Sequence, residues 1–340
     1  MSKPSVLVIY TGGTIGMVKD AGSGALMPVN IELLLQYIPE LHRIDADISI
    51  EAFEQTIDSS DITPQHWIQL VEIIERNYAL FDGFVILHGS DTMAYTASAL
   101  SFMLENLGKP VILTGAQLPI GVLRSDAKEN FITALELALL KENGRPKINE
   151  VCIYFEYHLF RGNRTTKFSA SHFNAFLSPN YPALAEAGVN IQIEDNHLLP
   201  PPVSPPVFHK KLEQSIATFR LFPGMTTVQL SAVCNIPGLK ALVLETYGSG
   251  NAPTADWFIH MLEQIIERGV IVVNVSQCLN GAVEQGKYKT SQQLLKIGVL
   301  GLADLTIEAA TTKLMFMLGK NKTQIAKETI MLSICGEMSN

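Results

Sequence analysis

Gly83 to Gln117 reads GFVILHGSDTMAYTASALSFMLENLGKPVILTGAQ, and this stretch decides the fold. It opens on a continuous apolar run, Gly83–Leu87, as a strand covered on both faces requires. A helical stretch from Thr92 to Leu107 follows and is stopped by Gly108. A second buried strand, Pro110–Leu113, comes next. Strand, crossover helix and strand make a parallel unit, with helices covering the sheet.

The same alternation extends outward in both directions. Val6–Tyr10 is another continuous apolar strand, and Ile48–Phe53 alternates like a strand. Ile31–Ile38 has helical spacing. Thr63-Pro64 marks a helix start, and Trp67, Leu70, Val71 and Ile74 recur at helical intervals. Ser125–Leu140 is a long helix capped by Ser125 or Asp126, and Val151–Phe155 is a further strand. Leu199-Pro200-Pro201-Pro202-Val203-Ser204-Pro205-Pro206 is too rich in proline for either regular element. A second alternation lies beyond it, with strands at Ala241–Leu244 and Val270–Val275 and helices at Phe258–Ile266 and Ala309–Leu318. The pattern predicts a two-domain α/β protein. A larger doubly wound, flavodoxin-like parallel sheet occupies residues 1–195, a proline-rich linker 196–210, and a smaller α/β domain 211–340.

Composition narrows the partners. The 340 residues are 47% hydrophobic and 17% charged, with a net charge of −8. Nucleic-acid binding rests on Lys and Arg neutralising phosphates, and no basic run is present, so nucleic acid is excluded as a partner. The most apolar stretches, such as Gly269 to Val275, are strand-sized, so no membrane span is expected. Met1-Ser2-Lys3-Pro4 runs straight into a strand without the apolar run of a secretory signal, which points to the cytoplasm. Cys152, Cys234, Cys278 and Cys335 form no CxxC pair. Three of the four sit in apolar company and are expected as buried, reduced thiols.

In open α/β sheets ligands bind at the carboxyl ends of the strands, and several polar loops fall there. Thr11-Gly12-Gly13-Thr14-Ile15-Gly16 follows the first strand and displays Thr14 between glycines. It lacks the spacing of a dinucleotide or phosphate loop. A tight strand-to-helix turn is its plainer reading. Gly89-Ser90-Asp91 follows Leu87-His88; here Ser90 or Asp91 could simply cap the next helix, and His88 be a hydrogen-bonded structural residue. Asp58-Ser59-Ser60-Asp61 fits a turn and cap cluster equally well. It also fits a cradle in which Asp58 pairs with an ammonium while serine hydroxyls and backbone N–H groups hold a carboxylate. Thr114-Gly115-Ala116-Gln117 ends the strand after that. Arg161-Gly162-Asn163-Arg164-Thr165-Thr166-Lys167 is either a solvated basic loop or the source of a base. A hydroxyl needs such a base to become a nucleophile, and a lysine desolvated beside other cations can supply it.

Taken together, TGGTIGM, DSSD-x-TP, the Gly83–Gln117 block and RGNRTTK, in this order, resemble the bacterial cytoplasmic (type I) L-asparaginases. YGSGNAP, GVIVVNVSQC and GVLGLADLTIEAATTK continue the resemblance past the linker, so it covers nearly the whole chain. It implies hydrolysis of L-asparagine to L-aspartate and ammonia without metal or organic cofactor. Thr14 matches the nucleophile that forms an acyl-enzyme. Ser90, Asp91 and Lys167 match a second catalytic group, and Asp58, Ser59 and Ser60 the site for the substrate backbone. Asp91 also matches a contact to the substrate ammonium, and Ala116 a backbone carbonyl that meets the leaving amide. The Gly12–Thr14 and Gly89–Ser90 amides are plausible oxyanion donors. The resemblance further implies a homodimer or homotetramer, in which Asn251 of a neighbouring copy completes the site.

Three positions depart from that family's pattern. Ser90 stands where most relatives have threonine, keeping the hydroxyl and losing the stiffening methyl. Leu26 stands where many carry a mobile tyrosine, so another group or a water has to take the Thr14 proton. Glu245 replaces an arginine of an allosteric site that includes the position of Cys278, and a carboxylate there repels a ligand carboxylate. Two other readings share these residues: an amidase acting on glutamine or serving a larger complex, and a catalytically silent small-ligand sensor.

Overall fold

A computed structural model of the protein describes residues 3–19, 26–28, 36–320 and 327–339. The chain divides into two compact units, Met1–Lys210 and Lys211–Asn340.

The first unit is organised around one sheet. Its strands are β1 (Ser5–Gly12), β2 (Asp47–Ile57), β3 (Gly83–Leu87), β4 (Val111–Thr114), β5 (Val151–Phe155), β6 (His158–Arg161), β7 (Ala185–Ala187) and β8 (Ile191–Ile193). They lie in the order β8-β7-β6-β5-β4-β3-β1-β2. β2, β1, β3, β4 and β5 are parallel, and β6 to β8 extend the sheet in antiparallel fashion. Every residue of β3, β4 and β5 is buried, which is why these strands read as unbroken apolar runs. Helices α1 (Pro64–Asn77), α2 (Met93–Met103) and α3 (Ala127–Leu139) join them. Val8, Val85, Ile112, Phe131 and Leu135 belong to the core between α3 and the sheet. The chain steps from β1 outward to β2 and then back past β1 to β3. Strand order therefore reverses between β1 and β3, the place where doubly wound sheets open a crevice.

Two helices of the first unit differ from the sequence reading. α2 ends at Met103 rather than Leu107, because Leu104–Glu105 turns into a short strand paired antiparallel with Val207–Phe208. Asn106 then takes a left-handed φ of 58°. The partner strand comes from just past the prolines, about a hundred residues away, so local periodicity carries no sign of it. α3 begins at Ala127 instead of Ser125, with Asp126 at the cap position but bonding none of the helix's first amides through its side chain. The helix read at Ile31–Ile38 falls largely outside the described residues.

The second unit holds a four-stranded parallel sheet in the order β9 (Ile216–Arg220), β10 (Ala241–Thr246), β11 (Ile271–Ser276), β12 (Leu300–Gly301). Its helices are α4 (Thr227–Cys234), α5 (Asp256–Glu267), α6 (Lys289–Ile297) and α7 (Ile307–Lys320). Leu242, Leu244, Phe258, Leu262 and Val272 form its core. α7 carries Lys313, wholly buried, in a 2.6 Å ion pair with an equally buried Glu337. The carboxylate also accepts from the Ile334 and Cys335 amides at 2.9 and 2.8 Å, and the ammonium donates to the Leu332 carbonyl. Burial alone would raise the Glu337 carboxyl, but Lys313 and these amides outweigh it and hold it below its ordinary range.

Cys152 and Cys234 are buried, whereas Cys278 is exposed and Cys335 half-buried. Two thiols are thus buried, not three; Cys278 lies just beyond the end of β11, outside the apolar strand that precedes it. Among the described residues, no helix is long and apolar enough to cross a membrane.

Candidate active site

Loops leaving the carboxyl ends of β1, β2 and β3 converge in the first unit, and glycines set how closely they approach. Gly13 has φ 89° and ψ 174°, a region essentially reserved for glycine. A Cβ there would lie 2.4 Å from the Gly89 amide nitrogen. A Cβ on Gly89 would lie 2.6 Å from the Ser59 hydroxyl. The Gly13 loop therefore lies against the Gly89 backbone, and Gly89 against the Ser59 side chain, approaches that only hydrogen side chains permit.

The convergence encloses a cavity of about 180 Å³ lined by Gly13, Thr14, Met17, Asp58, Ser59, Gly89, Ser90, Asp91, Gln117, Lys167 and Ala170. At about 30 Å³ of liquid volume per water, that is room for a molecule the size of one amino acid. A cavity of about 390 Å³ shares Asp58 with it, and one of about 470 Å³ lies in the second unit. Neither gathers a hydroxyl, an ammonium and carboxylates as this one does.

Thr14 opens a single 3₁₀ turn, Thr14–Gly16, after the Gly12-Gly13 pair. Its hydroxyl has no hydrogen-bond partner among the described residues and is left to the cavity. Under the same turn, the Tyr10 hydroxyl donates to the Gly16 carbonyl at 3.3 Å. Burial pushes this phenol up to about 12, so it stays protonated and does not replace the tyrosine absent at Leu26. The Leu26 backbone lies opposite Lys19 in a short hairpin.

Ser90 is buried, and its hydroxyl faces two groups. The Lys167 ammonium donates to it at 2.8 Å, and it donates to the Gln117 side-chain oxygen at 3.3 Å. Lys167 also binds the Asp91 carboxylate at 2.6 Å. Lys167 arrives from a two-residue strand, Thr166–Lys167, paired with Phe176–Leu177. The neighbouring cations of its motif point elsewhere. Arg161 is paired with buried Glu150 at 2.6 Å, and both Arg161 and Arg164 lie over the Tyr181 ring. A lysine crowded by cations is therefore not what this loop builds; Lys167 faces a carboxylate.

Asp58 caps the short turn Ser59–Asp61, accepting from the Ser60 amide at 2.9 Å and the Ser60 hydroxyl at 2.8 Å. The amide bond chiefly holds its carboxyl below the ordinary range, so it is an anion. Both bonds use one oxygen, Oδ1. Ser59 is buried against Gly89, while Ser60 serves the cap and does not line the cavity.

His88 sits beneath these loops, fully buried. Its Nδ1 lies 2.6 Å from the Gly89 carbonyl, and its Nε2 lies 3.0 Å from the Thr96 hydroxyl, which accepts in turn from the Trp67 indole. Desolvation lowers its pKa to about 4, so the ring is neutral. Nδ1 then donates to the carbonyl and Nε2 accepts from Thr96. His88 is thus a structural histidine, as its position directly after an apolar strand suggests.

Two contributors were not evident in the sequence. Gln117 touches Ser90 and donates to the His172 carbonyl at 2.9 Å. Asp126, read only as a cap, accepts from the Gln117 amide at 2.9 Å and the Leu118 amide at 3.1 Å, fixing the loop after β4. Ala116 is buried in that loop and is not among the lining residues. Asn251 belongs to the second unit, where it bridges to Tyr247 and accepts from the Thr290 hydroxyl. Among the described residues, no three His, Cys, Asp or Glu side chains are arranged to hold a metal ion. What the cavity offers is the Thr14 and Ser59 hydroxyls, neither hydrogen-bonded among the described residues, a third hydroxyl on an ammonium, and two carboxylates. This suits a small zwitterion carrying an electrophilic carbon.

Known proteins share this architecture. Residues 5–199 match the family model "Asparaginase, N-terminal", and residues 215–331 match "Glutaminase/Asparaginase C-terminal domain". L-asparaginase 1 of Escherichia coli K12 is 42% identical, covering 100% of this chain and 99% of its own. The crystal structure of L-asparaginase I from Vibrio cholerae is 40% identical over the whole of both chains, with a TM-score of 0.89. The thermostable L-asparaginase from Thermococcus kodakarensis is 33% identical over 99% of both, also at 0.89.

Proposed function

The chain belongs to the asparaginase family, and on that premise we propose that it hydrolyses the side-chain amide of L-asparagine to L-aspartate and ammonia through an ester on Thr14. The observation that carries this reading is the unengaged Thr14 hydroxyl in an amino-acid-sized cavity shared with the Ser90–Lys167–Asp91 triplet.

The Asp58 and Asp91 carboxylates receive the substrate ammonium, and Ser59, on the lining of the cavity, receives its α-carboxylate. An analogue lacking the ammonium leaves the Asp58 carboxylate without a cation, which is a ground for rejection. The Thr14 oxygen attacks the amide carbon, and the Gly89–Ser90 and Gly13–Thr14 amides stabilise the oxyanion that forms. The carbon–nitrogen bond then breaks, and the hydroxyl proton of Thr14 ends on the departing ammonia. Ser90, held by Lys167, relays that proton. Water attacks the ester, releasing aspartate and restoring Thr14; two moderate barriers replace one high one.

In this reading residues 1–195 are the catalytic domain, linked through 196–210 to a second domain at 211–340. The protein acts in the cytoplasm as a homodimer or homotetramer, with Asn251 of a neighbouring copy completing the site. The YGSGNAP segment supports this assembly. Thr14→Ala should lower ammonia release from asparagine at least about 1,000-fold with the fold retained, since the residual rate comes from binding and oxyanion groups alone. Assays on asparagine and glutamine side by side define the preferred amide. A Thr14→Ala protein of wild-type rate would overturn the assignment.

A further inference from the structure

Thr92 occupies the N-cap position of α2, where a threonine hydroxyl ordinarily accepts from the second or third amide of its helix. It makes no such bond. Its hydroxyl instead donates at 2.6 Å to the main-chain carbonyl of Ser59, 33 positions earlier in the chain. A cap residue that gives up its own helix for a distant loop breaks a local rule, and such breaks gather where position matters. The same diversion recurs at Asp126, the cap of α3, whose carboxylate holds the loop after β4.

Consider what the bond joins. Ser59 belongs to the turn capped by Asp58, and Thr92 directly follows Asp91. Gly89 presses on the same turn, leaving no space for a Cβ before the Ser59 hydroxyl. The turn is therefore seated against the β3 loop at two places, the Ser59 side chain against Gly89 and the Ser59 carbonyl on the Thr92 hydroxyl. Both carboxylates of the cavity hang from this joint, one on each side.

We propose that Thr92 is a positioning residue that fixes the spacing of the Asp58 and Asp91 carboxylates, and so the affinity for the substrate ammonium. This rests on the substrate-binding role given above to Asp58 and Asp91. Thr92 acts through Ser59 and touches no reacting atom. Its removal therefore weakens binding in the ground and transition states alike, raising KM while kcat is kept.

Thr92→Val keeps the shape and removes the hydroxyl; Thr92→Ser keeps the hydroxyl. The Ser59 carbonyl still accepts from the Ile62 amide at 3.3 Å, so the valine variant does not orphan a buried acceptor and should fold. KM for asparagine should rise about tenfold in Thr92→Val, the size of one strong hydrogen bond, with kcat within about twofold. The Kd for L-aspartate by calorimetry should weaken in parallel, and Thr92→Ser should restore both. An unchanged KM in Thr92→Val, a fall in kcat instead, or a serine variant as poor as the valine one overturns the proposal. If the wild-type protein releases no ammonia, the functional reading fails. The aspartate titrations of the two variants still decide the role of Thr92.

Discussion

The contact between the Thr14 and Gly89 loops is open to a single-atom test. Gly13→Ala adds one methyl whose Cβ would lie 2.4, 2.5 and 2.9 Å from Gly89 N, Gly89 Cα and His88 C. All three are backbone atoms, so no side chain can swing aside. To reach ordinary contact, near 3.4 Å, the loops have to separate by about 1 Å. The residue itself also has to hold φ 89°, ψ 174°, at a strain of about 1–3 kcal/mol for a non-glycine. A displacement of about 1 Å in a reacting group costs on the order of 100-fold in rate. The expected result is a loss of about 100-fold or more in kcat/KM for asparagine, measured by ammonia release. Calorimetry should show a Tm lowered by about 3–10 °C, the shift that 1–3 kcal/mol produces in a unit of this size. A variant that loses the stability but keeps the rate would refute the reasoning, because the spacing of Thr14 and Gly89 would then be irrelevant to chemistry.

Two further outcomes follow from the same geometry. Lys167→Met should lower kcat by about 100- to 1,000-fold, the usual worth of a positioned proton-transfer group. Its Tm should hardly move, since Asp91 is 67% exposed and a solvent-screened pair stabilises little; an unchanged rate would reduce Lys167 to a loop cation. His88 gives a pH signature. Unfolded, it binds a proton below about pH 6.5; folded, it resists until about 4. Its stabilising contribution is complete above pH 6.5 and is lost as pH falls from 6.5 to 4, by about 3 kcal/mol in all. Urea unfolding at pH 7 and 4.5 should show a drop about 2–3 kcal/mol larger in the wild type than in His88→Gln. Equal drops would mean that the ring is not neutral in the fold.

The parallel core was legible because β3, β4 and β5 are buried on both faces, and such strands are written as plain apolar runs. The loop residues at their ends could be placed on the same grounds. What the sequence hid depends on distant partners. α2 stops early because Leu104–Glu105 meets Val207–Phe208. Asp126 reads locally as a cap, yet its carboxylate faces Gln117 and Leu118. Lys167 reads as one of several cations, and only the packing of Arg161 and Arg164 on Tyr181 isolates it. Side-chain direction across the fold, not residue type, was the missing information in each case.

The buried pair in the second unit bears on how the chain matures. Lys313 is added to the chain some two dozen residues before Glu337, and at about 5–20 residues per second that gap lasts roughly one to five seconds. During this interval α7 holds an ammonium destined for a dry interior with no anion to meet it. Without Glu337 the helix cannot settle onto β9 and β10 except with that ammonium unpaired. The first unit contains all of its own strands and can collapse earlier. Biogenesis is thereby ordered in time, with the second unit closing only after Glu337 has emerged.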